Sequence, residues 1–125
     1  MILGIGADLV EVARVARLLE RYGERFARRV LAPAEWAGYR SSPNPEVFIA
    51  SRFAAKEAFA KALGTGLRAP VLLTSICVTH DALGRPELQL SPELEALSTQ
   101  RGVGARFVTL SHERRVACAV VVLEA

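Results

Sequence analysis

Aromatic residues are scarce in this 125-residue chain, at 6% of the total, with one tryptophan and two tyrosines. Proteins that hold single-stranded nucleic acid stack bases on aromatics set among their cations. The arginine face described below carries no interleaved aromatics, which argues against nucleic acid as a partner. Cysteine is nearly absent. Cys77 and Cys118 fall in apolar runs and read as small core residues of a reducing compartment, not as a disulfide. No Cys/His spacing suggests zinc. No apolar run is long enough to span a bilayer, and Met-Ile-Leu-Gly-Ile-Gly-Ala-Asp at the start lacks the basic region and cleavage site of a signal peptide. We therefore expect a cytoplasmic protein with no membrane partner. Low-complexity tracts and internal repeats are absent too.

What is present is apolar and cationic. Hydrophobic residues make up 51% of the chain, enough for a real core, and one domain over residues 1–125 is expected. The net charge is only +3, but nearly all the positive charge is arginine and much of it lies between Arg14 and Arg29. That concentration suits an anionic partner: nucleic acid, an acidic protein or a phosphorylated ligand.

The chain is organised around residues 52–66, which read first as a helix. Ala, Leu, Lys, Glu and Arg dominate this stretch. Asn44 is a candidate N-cap, Pro45 takes the first helical position, and Glu46 sits in the first turn. Gly64 is a natural stop. Ile49, Phe53, Ala60 and Leu63 mark its buried side. Glu57 and Lys61 are four apart and share a face, about 6 Å apart along the axis. The ordinary reading is an exposed pair worth roughly 0.3–0.5 kcal/mol. Two features point further. Arg52, Lys56 and Lys61 crowd positive charge onto an otherwise apolar helix. The helix also runs into Gly64-Thr65-Gly66, whose backbone N–H groups could receive a phosphate. A carboxylate beside lysines next to such a loop has the parts of a magnesium–diphosphate site.

Residues 2–6 read as a short buried strand. Asp8 follows at its end, either as the N-cap of the next helix or as a metal ligand on a rigid corner. Residues 9–29 read as one helix with Val12, Val15, Leu19, Tyr22 and Phe26 toward the core. Arg14, Arg17, Arg21, Arg25 and Arg28 lie opposite, as a solvated face partly neutralised by Glu11, Glu20 and Glu24, or as a docking surface for an acidic protein. Residues 33–40 suggest a short helix anchored by Trp36 and Tyr39. Strands are expected at 71–79 and 87–90 around a turn at Gly84, and at 106–111 and 116–123. A helix opens at Ser91-Pro92-Glu93. The last strand is apolar on both faces and should be central. His112 stands alone at a strand end, where a surface turn residue is the ordinary reading. The order of elements predicts an α+β fold, a mainly antiparallel sheet packed with a long central helix.

Gly6-Ala7-Asp8 followed by Arg14, Phe53-Ala54-Ala55-Lys56-Glu57-Ala58-Phe59-Ala60-Lys61 and Gly64-Thr65-Gly66 resemble the holo-acyl-carrier-protein synthases, which are 4′-phosphopantetheinyl transferases. The resemblance runs nearly end to end. It takes in Arg21-Tyr22-Gly23-Glu24-Arg25-Phe26, Gly84-Arg85-Pro86, Ser111-His112 and the closing valine-rich strand. It implies the 4′-phosphopantetheinyl transferase fold and transfer of 4′-phosphopantetheine from coenzyme A to a serine of an apo acyl carrier protein, usually for fatty-acid synthesis. It also implies a magnesium ion and a homotrimer with active sites between neighbouring subunits. Leu83 stands where many relatives carry a polar residue, and Pro33 where a hydroxyl N-cap is common.

The residues then take expected roles. Asp8 and Glu57 are hard oxygen ligands suited to magnesium. Lys61 attends the diphosphate, stabilising or protonating the leaving oxygen. Arg52, Lys56 and His112 are candidates for the nucleotide phosphates. Gly64 and Gly66 allow close backbone approach, and Gly84, Arg85, Pro86 and Ser111 complete the expected coenzyme A contacts. The carrier serine is activated by Glu57, by Asp8 or by a metal-bound water. The competing reading is a non-catalytic binding module that uses the arginine helix to dock an anionic partner.

Overall fold

The computed structural model describes residues 1–125. In order the elements are β1 (Ile2–Glu11), α1 (Val12–Tyr22), α2 (Glu24–Val30), α3 (Trp36–Ser41), α4 (Pro45–Leu63), β2 (Ile76–His80), β3 (Pro86–Leu90), α5 (Pro92–Gln100), β4 (Ala105–His112) and β5 (Val116–Glu124). Two 3-10 turns, Pro33–Glu35 and Leu73–Ser75, join the helices and strands. The architecture is α+β, as expected. A three-stranded antiparallel sheet in the order β1-β5-β4 and a separate β2–β3 hairpin pack around α4.

The central helix is buried on almost every side. Between Ala54 and Leu63 only Lys61 is exposed and only Glu57 is half-buried. A helix apolar all round belongs inside a fold, and its alanines let neighbours come close. Gly4 and Gly6 of β1 use that room. A β-carbon on Gly4 would lie 1.9 Å from the Ala62 carbonyl oxygen, and one on Gly6 would lie 2.1 Å from that of Ala58. Strand side chains alternate, so Asp8 and Val10 share the Gly6 face and point toward α4. Central β5 buries Ala117, Ala119, Val121 and Leu123 on the same side.

Several expectations change. The first strand is twice as long as residues 2–6 and lies at a sheet edge, with Ile2, Leu3, Ile5 and Leu9 exposed. Asp8 is therefore inside β1, and Glu11 takes the N-cap position of α1. The expected 9–29 helix is two helices. Gly23, at φ +58, ends α1 by donating its N–H to the Leu19 carbonyl, a conformation glycine reaches without a Cβ penalty. Tyr22 is consequently exposed and not core, while Phe26 is half-buried and packs against the core as expected. The 71–79 strand starts at Ile76, since Leu73–Ser75 forms a 3-10 turn. Asn44 precedes α4 as predicted, but its side chain makes no capping hydrogen bond. Trp36 and Tyr39 do anchor their segment, with rings edge to face at 5.6 Å.

Candidate active site

The close approach of β1 to α4 brings Asp8, Glu57 and Lys61 into one open cleft of about 570 Å³, with Arg14, Phe26 and Phe53 on its walls. Lys61 Nζ donates to Asp8 Oδ1 and to the Ala7 carbonyl, both at 3.0 Å. Partial burial pushes the Glu57 carboxyl above its ordinary range. The Asp8 charge adds to that shift, and Lys61 pulls against it. Two carboxylates that repel each other are a place where a cation is favoured. No cluster of three metal-ligating side chains exists, so a cation here must complete its shell from water and ligand. Magnesium binds in that way, through one or two carboxylates and substrate phosphates; a structural zinc does not.

A second cleft of about 400 Å³ lies around the helix from the first. Arg52 and Glu57 are five residues apart, which is about 140° around the axis. The second cleft collects Asn44, Arg52, His80, Gly84, Pro86 and His112. The Arg52 guanidinium lies over the Phe48 ring at 3.9 Å, and its Nε is buried without a hydrogen-bond partner. Desolvation pulls its proton affinity down, while the Glu35 charge opposes that fall. Asp81 shapes the turn beside the cleft: its Oδ1 accepts the N–H groups of Leu83 and Arg85 at 2.9 Å each. Gly84 completes that turn at φ +89.

Other expected contacts do not converge. Lys56 is fully buried, with its Nζ on Glu35 Oε1 and the Val30 carbonyl. Its assignment to the nucleotide phosphates is corrected: the ammonium faces the core. The Gly64 and Gly66 N–H groups are likewise spent on closing α4, donating to the Ala60 and Lys61 carbonyls, although both residues remain exposed. Arg85 sits in a separate groove beside Arg106 and Phe107 and pairs loosely with Asp81 at 3.5 Å. Ser111 alternates with His112 along β4, so it points away from the second cleft.

The arginine stripe is split by Gly23. Arg14, Arg17 and Arg21 are carried by α1, and Arg25 and Arg28 by α2; all five are exposed. Between the two helices runs a groove of about 290 Å³ with Leu18, Tyr22 and Phe26 as its apolar wall and Arg25 and Arg29 on its rim.

The family model of the 4′-phosphopantetheinyl transferase superfamily matches residues 4–121. The chain belongs to that superfamily. It is 55% identical over 124 residues to the holo-[acyl-carrier-protein] synthase of Nitrosospira multiformis, with 99% of each chain covered. It is 56% identical, again with 99% of each covered, to that of Nitrosomonas eutropha. The crystal structure of the Neisseria meningitidis synthase superposes with a TM-score of 0.97 at 42% identity, covering 100% of both chains. The Bacillus anthracis synthase in complex with coenzyme A (3′,5′-ADP) superposes at 0.82 and 35% identity, covering 100% of this chain and 98% of that one.

As a phosphopantetheinyl transferase of the holo-[acyl-carrier-protein] synthase type, the chain contains residues in and behind its clefts that sequence reasoning did not single out. His80 lines the Arg52–His112 cleft. It stands at the end of β2, one residue past the expected strand, where nothing local marks it. Glu35 is buried at 3% exposure and holds Lys56. Its one local signal is half of a capping box, the Glu35 carboxylate accepting the Ala32 N–H.

Proposed function

We propose that this transferase moves 4′-phosphopantetheine from coenzyme A to a serine of an apo acyl carrier protein, releasing adenosine 3′,5′-bisphosphate, with magnesium at Asp8 and Glu57. The observation that carries the reading is the meeting of Asp8, Glu57 and Lys61 in one cleft at the β1–α4 contact. The carrier serine attacks the pantetheine-side phosphorus of a diphosphate. Positioning and charge stabilisation matter more in such a transfer than a covalent intermediate. Magnesium, when bound, polarises the diphosphate. Asp8 and Glu57 orient it from a strand and a helix held rigidly together. Lys61 lies on the same face as Glu57 and stabilises the leaving oxygen as charge develops there. Arg52 and His112, joined by Gly84 and Pro86, take the nucleotide end of coenzyme A.

We read the working unit as a homotrimer. The outer sheet face lines up Ile5, Val122 and Phe107 in one row and Leu9, Cys118 and Ser111 in another. Ile5, Leu9 and Phe107 are 65%, 70% and 53% exposed. An apolar face of this kind favours a second copy of the chain. We propose that copies pack there with the Arg52–His112 cleft of one subunit facing the Asp8–Glu57 cleft of its neighbour, so that both halves of a long ligand's site are supplied. The exposed arginines from Arg14 to Arg28 receive the acidic carrier protein. We place the protein in the cytoplasm, a reducing compartment suited to two free cysteines; no helix is long and apolar enough to cross a membrane.

The direct test is the mass of an apo acyl carrier protein after incubation with the chain, coenzyme A and magnesium. Gain of one 4′-phosphopantetheine group is expected. An unchanged mass with an active reference carrier overturns the reading.

A further inference from the structure

Glu35 and Lys56 form the one fully enclosed ion pair in the molecule, with side chains 1% and 0% exposed and 2.5 Å between Nζ and Oε1. Neither touches a cleft directly. What the pair joins is unusual. Glu35 Oε1 also accepts the Ala32 N–H at 2.8 Å, and Oε2 accepts the Val78 N–H at 2.9 Å. Lys56 donates in addition to the Val30 carbonyl at the end of α2. One carboxylate therefore ties the 3-10 turn, α4 and β2 together.

Both tied ends lead into the Arg52–His112 cleft. Lys56 is one helical turn beyond Arg52 and on the same face of α4. Val78 is two residues before His80 and pairs with Leu88 of β3, so fixing Val78 fixes the hairpin that presents His80, Gly84 and Pro86. The β2–β3 hairpin has only two strands, and the free edge of β2 needs a partner for its backbone. Glu35 stands in for the missing strand there. A buried ion pair is a poor source of stability, since an apolar pair of similar volume often serves as well. Its value here lies in direction and distance.

We infer that the Glu35–Lys56 pair is a positioning device for coenzyme A: it pins the β2–β3 turn to α4 and so sets the width of the Arg52–His112 cleft. The inference rests on the reading of that cleft as the nucleotide end of the coenzyme A site. It assigns Glu35 no contact with substrate and no role at Asp8, Glu57 or Lys61.

The test is the double variant Glu35→Gln/Lys56→Met, which keeps volume, strands no buried charge and leaves a single acceptor oxygen for two backbone N–H groups. Val121→Ala, a core truncation in β5, is the control for general loosening. Two readouts are taken on full-length protein. Amide exchange over residues 78–86 should quicken about tenfold in the double variant and stay near wild type in the control. The dissociation constant and KM for coenzyme A should rise about tenfold, with kcat and the carrier KM little changed. If the double variant does not fold, Glu35→Asp is measured in its place, since it keeps the charge for Lys56 but withdraws the carboxylate from Val78. Unchanged exchange over 78–86, or faster exchange with unaltered coenzyme A affinity, overturns the inference. Wild-type protein that binds no coenzyme A, with exchange still quickened in the variant, overturns the proposed function and leaves the pin itself standing.

Discussion

The Lys61 ammonium lies 3.0 Å from Asp8 Oδ1, joining α4 to β1 across 53 positions of sequence. The pair is open on one side, with Lys61 53% exposed and Asp8 16%, and the ammonium also holds the Ala7 carbonyl. Lys61 is thus oriented over the carboxylate cleft by the protein alone. Its exposed side is available to an anion entering that cleft.

Lys61→Ala should therefore lower kcat more than it weakens coenzyme A binding, because its strongest interaction forms as charge develops on the leaving oxygen. Lys61→Arg should rescue only in part, since a planar guanidinium does not replace a compact ammonium. Steady-state kinetics with coenzyme A varied will decide. A change confined to KM makes Lys61 a ground-state anchor.

Asp8→Asn and Glu57→Gln should each leave the fold intact and cut turnover by about 100-fold or more, the scale of losing a principal charge-stabilising group. Circular dichroism checks the fold and the mass-shift assay the rate. Near-normal turnover of both variants at ordinary magnesium sinks the metal assignment.

Glu57 also makes a pH prediction. Burial, then Asp8, hold its carboxyl above the ordinary value of 4.5. The native protein keeps this proton more tightly than the unfolded chain does. Stability therefore falls as pH rises from 4.5 through the raised native value, and the loss is complete above it. Without magnesium, Glu57→Gln should melt higher than wild type at pH 7 and alike at pH values well below 4.5. Magnesium should raise the wild-type melting temperature at pH 7 and do little for the variant. Equal melting at pH 7 without metal contradicts this account.

Gly6→Ala should be among the most damaging small substitutions. Its β-carbon would meet the Ala58 carbonyl at 2.1 Å and the Ala62 nitrogen at 2.7 Å. Both are helix backbone and cannot rotate aside. A loss of about 3 kcal/mol in urea unfolding is expected, with Asp8 carried away from Glu57. A wild-type midpoint would mean that β1 does not depend on this contact.

Reversal of Arg14 and Arg21 to Glu should raise the KM for the carrier protein strongly and flatten its salt dependence. Exposed charge pairing mainly speeds association and is screened as the Debye length falls from about 10 Å at 0.1 M to about 3 Å at 1 M. Coenzyme A affinity should move far less than the carrier KM, with Arg14 the one of the two that also lines the Asp8–Glu57 cleft. Equal losses for both substrates would assign the arginines to the fold, and no loss for the carrier would make them a solvated face.

Much of this was legible in the residues because the signals are local. Pro45 at the helix start, Gly64 at φ +84 at its end, and the alanine-rich run between them define α4 by propensity and capping alone. The spacing of Glu57 and Lys61 puts them on one face of any helix. The apolar character of residues 116–123 on both faces marks a central strand. Gly23 is the local signal against a single helix: a helix through it matches the arginine periodicity, but the glycine turns the chain and moves Tyr22 out of the core.

Which cation meets which carboxylate was not legible, because that depends on contacts between distant segments. From residues alone Lys56 and Lys61 look alike, two lysines on one helix beside one glutamate. About 140° of rotation around α4 sends Arg52 and Lys56 one way and Glu57 and Lys61 the other. Lys61 then emerges beside Asp8 on β1. Lys56 turns inward to Glu35, 21 positions away, where burial and pairing remove it from any phosphate. The sequence by itself determined the long helix, the α+β order and the set of reactive side chains. Tertiary structure decided their partners, since only the packed fold sets the distance and the dielectric between charges far apart in the chain.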